Sequence, residues 1–271
     1  MTTTVATPVL PPELERVVFE LAAWRDKETM CTLVLVARRV NIWIGPLRYR
    51  VRLVTFQSGN IDALWQLIDN CPASRIHTRH LAVCRLTLHT EDDIATSSIP
   101  RILRAFPHLV SLRLWSVTPA SIADFHLLHA LPALRRLAIN LVAIFSERTP
   151  GPDPPPAPLL HVTHLELFHQ RAHFHGDVPD LNLMRSALRC WPALTVLAHV
   201  HGPFVERLDG AQQALHAERA AEFAAIDPRL VILRSVLESW EQDWERGAWG
   251  GWDCWRRAEE VVAARGLRNS N

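Results

Sequence analysis

The feature that most constrains this chain is a junction written three times. FPHLVSL (106–112), LPALRRL (131–137) and WPALTVL (191–197) share one order. An aromatic residue or leucine comes first, then proline, then one residue, then the first leucine of an apolar stretch. Proline cannot continue a helix, and it pushes the residue before it out of the helical region. Each copy therefore ends one element and turns the chain into a short strand. Seven stretches read as strands: VRLVTF (51–56), HLAVCRLTL (80–88), LVSLRLWSV (109–117), LRRLAINLV (134–142), VTHLELF (162–168), LTVLAHV (194–200) and LVILRSV (230–236). Most are followed by a helical or loop segment.

Five of the seven share the form apolar-x-x-Leu-x-apolar, or come near it. Their central residues Leu86, Leu112, Leu137, Leu165 and Leu197 are spaced by 26, 25, 28 and 32 residues, a loose repeat with a period near that of leucine-rich repeats. One strand with its return segment cannot bury its own apolar side, whereas stacked units share a continuous core. The expected fold class is α/β, with the strands in a mostly parallel, curved sheet.

Outside the repeats the pattern is helical. In LPPELERVVFELAAW (10–24), Leu14, Val17, Val18 and Leu21 recur at i, i+3, i+4 and i+7, and Pro11 and Pro12 sit where a first turn tolerates them. A second helix is expected from Glu28 to Val40, with Met30, Leu33, Val34, Val36, Ala37 and Val40 on a wide apolar face. Residues 206–225 are rich in Ala, Glu and Gln. The last segment, SVLESWEQDWERGAWGGWDCWRRAEEVVAARG, reads as two helices separated by Gly247, Gly250 and Gly251, closing the array as a cap. Its tryptophans Trp240, Trp244, Trp249, Trp252 and Trp255 are read as packing between those helices, and Glu241, Asp243 and Glu245 as a solvated face. The run TPGPDPPPAP (149–158) is read as a proline-rich surface loop and spacer.

LPPELERVVF resembles the start of an F-box, the short helical motif that docks onto the Skp adaptor of cullin-based ubiquitin ligases. Leu10, Pro11, Glu13, Leu14, Val18 and Phe19 occupy the motif's positions, and LVARRV (35–40) looks like its later segment through Leu35, Val36 and Arg38. The whole chain is similar to F-box proteins with leucine-rich-repeat-like regions from mushroom-forming fungi. The resemblance implies three parts: an F-box-like helical segment over 10–50, a leucine-rich-repeat-like region over 51–236, and a helical cap over 237–271. It implies an adaptor-binding face of Leu10, Pro11, Leu14, Val18, Phe19, Leu33 and Val36. It also implies a Skp-family adaptor and an unidentified substrate protein as partners, with the chemistry supplied by the ligase and not by this chain. The alternative is an interaction module whose N-terminal helices only cap the solenoid.

Other classes find little in the residues. The formal charge of +1 speaks against a broad nucleic-acid or membrane surface. Five scattered cysteines, never in a C-x-x-C pair, suit a reducing compartment, cytoplasm or nucleus. No apolar run reaches the length of a membrane span, and the first fifteen residues do not read as a secretory signal. There is no G-x-S-x-G elbow and no glycine-rich phosphate loop, so no enzyme and no cofactor is expected. His161, His164, His169, His173 and His175 crowd together and His199 and His201 alternate on a strand, but no ligand set completes them. They are read as solvated, with no metal. Arg135 and Arg136 are read as a solvated pair.

Overall fold

The structure, a computed structural model, describes residues 10–56, 60–85, 94–115, 126–139, 158–167, 181–201, 210–234 and 239–268. All seven expected strands are present: β1 (Val51–Phe56), β2 (His80–Arg85), β3 (Ser111–Trp115), β4 (Arg136–Ile139), β5 (His164–Leu167), β6 (Val196–His201) and β7 (Leu230–Arg234). They form one sheet in chain order, every neighbouring pair parallel. Each return segment therefore brings the chain back to lay the next strand beside the last.

The register explains the leucines. Leu81, Leu112, Leu137, Leu165, Leu197 and Leu230 are direct partners across six strands, and all are buried. Two residues further on, Val54, Val83, Leu114, Ile139 and Leu167 make a second row on the same face. Return elements cover this face: α4 (Asn60–Asn70) with Leu64 and Ile68, then α6 (Ile94–Ala105) with Ile99, Ile102 and Leu103. A short α5 (Pro72–His77) leads into β2. Further along, α7 (Leu181–Cys190) contributes Met184 and Ala187, and α8 (Gly210–Ile226) contributes Phe223.

The proline junctions behave as their chemistry requires. Phe106, Leu131 and Trp191 are buried, the prolines after them are exposed, and Leu109, Leu134 and Leu194 are buried again. Two more copies are present. Leu159 and Val162 close the same four-residue turn with a hydrogen bond of 3.2 Å, and Asp227 and Leu230 close it with one of 3.0 Å. They are hard to see in the sequence because Leu160 replaces the proline in one and Asp227 replaces the apolar residue in the other.

Three expectations need correction. The repeat position assigned to Leu86 belongs to Leu81, the residue that pairs with Leu112. HLAVCRLTL offers two alternating phases five residues apart, and the strand uses the first; Leu86 itself lies outside the described residues. The expected helix from Glu28 to Val40 is two helices, α2 (Lys27–Leu33) and α3 (Arg38–Ile44). They are separated by a turn and by an extended Ala37 with φ −159°. β-branched Val34 and Val36 are poor helix formers, and the break lets Val40 and Ile44 turn inward. Apart from Pro158, the proline-rich run 149–158 lies outside the described residues.

The third correction concerns the closing helices, α9 (Trp240–Ala248) and α10 (Cys254–Arg268). They do not stack beyond β7 as a cap. They lie against the second face of the sheet, with α9 on β1 and α10 on β6 and β7. Trp244 and Ala248 pack on Ala82, while Cys254, Trp255 and Ala258 pack on Val196, Ala198 and Val231. Trp240, Trp244 and Trp255 thus pack on the sheet, while Trp252 stays half exposed. Small residues make the approach possible: Ala82, Ala138 and Ala198 alternate with Arg113 and Glu166 along one row.

Candidate functional site

The N-terminal helices form a small unit with its own core. Among the described side chains of α1 (Pro12–Arg25) only Ala23 is fully buried; it meets Met30 of α2 and Val40 and Ile44 of α3. Asp26 links α1 to α2 as an N-cap: its carboxylate accepts from the Thr29 and Glu28 backbone N–H groups at 2.8 and 3.1 Å and from the Thr29 hydroxyl. These bonds, the Thr29 hydroxyl first, hold the Asp26 carboxyl below its ordinary value. Glu15 of α1 pairs with Arg39 of α3 at 2.6 Å.

The apolar stripe of α1 faces the other way. Leu14, Val17, Val18 and Leu21 are 49–62% exposed, and Leu10 ahead of the helix is 43% exposed. Leu35 and Val36 in the turn and Ile42 on α3 are exposed too. Elsewhere among the described residues the large exposed apolar side chains are Leu53, Ile76, Leu160 and Trp252, scattered one by one. Isolated exposed leucines are ordinary on any protein; their concentration on one helical unit is not.

Of the seven residues the sequence singles out, Leu10, Pro11, Leu14, Val18 and Val36 are exposed on this unit. Phe19 and Leu33 are half-buried and pack against the unit's core, Phe19 with its ring 6.4 Å from that of Trp43. They support the outer face and do not form it. Val17, Leu21, Leu35 and Ile42 belong with the exposed set. For Val17 and Leu21 the signal was the helical spacing they share with Leu14 and Val18.

The second face of the sheet carries a buried ionic layer. Arg113 donates to Glu166 at 2.7 Å, and its guanidinium lies 4.9 Å from the Trp240 ring centre. Asp243 is buried, not solvated as expected: it accepts from Arg257 at 3.2 Å and from the Cys254 backbone N–H at 3.0 Å. Burial raises the Glu166 carboxyl and the Asp253 carboxyl above their ordinary values, and it pushes the Cys84 thiol up to about 12 and the Cys254 thiol well above its usual range. Thiols held protonated in this way are poor nucleophiles.

The histidines that the structure describes are dispersed. His199 is buried and its Nδ1 bonds the Leu167 carbonyl at 2.8 Å, while His164 Nε2 meets Glu259 at 2.9 Å. His169, His173 and His175 lie outside the described residues. Among the described residues no three metal-ligating side chains gather, and no helix is long and apolar enough to cross a membrane. A cleft of about 530 Å³ runs between the N-terminal unit and α9, lined by Trp24, Lys27, Glu245, Arg246 and Trp249.

Fold and site together define an α/β protein built on a seven-stranded parallel sheet, with a helical unit at its start that shows apolar side chains to solvent. No family model, no curated protein and no solved structure matches this chain.

Proposed function

We propose that the chain is a docking subunit of the F-box type, whose N-terminal helices seat in the apolar groove of a Skp-family adaptor while the sheet body holds a substrate protein. The observation that carries this reading is the outward stripe of Leu14, Val17, Val18 and Leu21 on α1. An amphipathic helix that turns its apolar face to solvent is the helix-in-groove mode with the groove still to come. The resemblance of LPPELERVVF to the F-box supplies the partner's identity. The sheet body is a leucine-rich-repeat-like solenoid on this reading, since stacked one-strand units in chain order are how such solenoids grow. Cytoplasm or nucleus, where such ligases work, is the proposed compartment.

A second reading is that the helices only cap the β1 end of the sheet. It is favoured by the packing of Trp249 against the N-terminal core. A cap accounts for the inward Ala23, Met30, Val40 and Ile44 but gives no reason for the outward stripe.

Co-expression with a fungal Skp adaptor followed by pull-down tests the proposal. The wild type is expected to retain the adaptor, and Leu14→Asp with Val18→Asp to lose it while keeping its circular dichroism. Since both residues are already exposed, the double variant leaves the core intact. A folded wild type that retains no adaptor leaves the capping reading in its place.

A further inference from the structure

We infer that the N-terminal edge of the sheet, across β1 to β4, binds an acidic segment of a partner protein through Arg50, Arg79 and Arg135. The inference does not depend on adaptor docking; it says where a second protein is held.

The placement comes from the backbone. One residue ahead of the strands, the chain forms an unbroken ladder of hydrogen bonds: Arg79 N to Arg50 O at 2.9 Å, Val110 N to Arg79 O at 2.7 Å, and Arg135 N to Val110 O at 2.8 Å. Rungs of a sheet lie about 4.8 Å apart, so Arg50 and Arg135 stand about 14 Å apart with Arg79 between them. An extended peptide covers that span with about four residues.

The guanidiniums are held ready. Arg79 Nη1 donates to the Ile76 carbonyl at 2.6 Å, and Arg135 Nη1 donates to the Pro132 and Leu134 carbonyls at 2.8 and 3.1 Å. Arg50 stacks on the Trp24 ring at 4.1 Å, and its Nε is buried with no partner. Among the described residues none of the three has a carboxylate partner. The chain neutralises such an arginine where it needs to: Arg229, just before β7, is clamped by Asp227 two residues earlier at 2.7 and 2.9 Å. The equivalent offsets before Arg79 and Arg135 hold His77 and Ala133.

Each guanidinium keeps donors in reserve, and these match carboxylate or phosphate oxygens. A protein segment fits better than a nucleic acid. The strip is short, the whole chain carries a formal charge of only +1, and exposed Pro107 and Pro132 interrupt the charge with apolar surface. The second face of the sheet, the alternative surface for a partner, is already filled by α9 and α10.

Fluorescence anisotropy on the full chain tests the inference, with a labelled poly-glutamate peptide, a poly-glutamine peptide of equal length and oligo-uridine RNA at physiological salt. The glutamate peptide is expected to bind, and to weaken as salt rises. Arg79→Gln with Arg135→Gln is expected to weaken it by about tenfold or more, the scale of two lost charge-assisted contacts. Arg219→Gln, on exposed α8, should leave it unchanged. Because Arg79 and Arg135 also tie down their turns, Ala133→Asp serves as a second variant. It keeps both arginines and gives Arg135 a carboxylate at the offset of Asp227, and it too should weaken the peptide. Equal binding of the glutamine peptide, indifference to both variants, or tighter binding of the RNA would each overturn the assignment.

Discussion

His80 opens β2 on the second face of the sheet, buried and close to Arg50, Arg136 and Arg79. Burial first, and then those three charges, lower its pKa from 6.5 to about 3. The folded chain therefore holds a neutral imidazole that the unfolded chain protonates readily. Stability from this group is intact above pH 6.5 and is lost as pH falls from 6.5 toward 3, by about 2 kcal/mol at pH 5. Urea denaturation at pH 7 and pH 5 should show that loss in the wild type and a smaller one in His80→Gln; equal losses would refute the account. Gly250 is a second constrained residue, with φ +82° and a would-be Cβ only 2.9 Å from Trp24 Nε1. Gly250→Ala should lower stability by about 1–2 kcal/mol, read as a fall in Tm. At this scale the sequence was uneven. Gly250 was legible as a break between helices, whereas His80 looked like any other histidine at the start of a strand. Its environment is made by Arg50, just ahead of β1, and by Arg136 of β4.

Strands were legible as elements because each carries its own alternation and most are announced by a turn of fixed chemistry. What the pattern leaves open is phase and destination. HLAVCRLTL holds two phases, and only pairing with Leu112 selects Leu81. The closing tryptophans show the same limit, since the spacing of Trp240 and Trp244 reveals a helical face without revealing what that face meets. It meets Ala82 and Val51 of the sheet. Asp243 was misread for this reason: an acidic residue between tryptophans reads as solvated unless Arg257 is known to be its neighbour. The burial difference within these helices can be tested. Trp244 is 3% exposed and Trp252 is 49% exposed. Trp244→Ala should cost about 3–5 kcal/mol in chemical denaturation. Trp252→Ala, which loses a cation–π contact with Arg257 and a hydrogen bond to Glu260, should cost about 1 kcal/mol. Similar values for the two would mean that α9 and α10 do not sit on the sheet as described.

Across the whole molecule a late helix, α9, meets the N-terminal helices. From the N-terminal unit the described chain runs through seven strands, returns over the second face of the sheet with α9 on β1, and goes on as α10 along β6 and β7. Trp249, at the end of α9, packs against the core of the N-terminal unit and stands edge-on to Trp24 at 6.2 Å. Lys27 and Glu245 face each other across the same seam at 3.9 Å, too exposed to add much. No local pattern in the sequence links residue 24 to residue 249; the link exists because α9 packs on β1, beside the N-terminal unit. Trp249 is therefore a residue through which the body of the protein steadies its N-terminal helices. The buried core of those helices, Ala23, Met30, Val40 and Ile44, is small, and units with so little buried apolar area open most easily. Hydrogen exchange on Trp249→Ala should show faster exchange across α1 to α3 and unchanged protection in β3 to β5. Adaptor retention, if α1 docks as proposed, should weaken in step with the lost protection although Trp249 lies off the exposed stripe. Uniformly faster exchange would place Trp249 in the common core instead, and unchanged exchange in α1 to α3 would mean that the helical unit stands without help from α9.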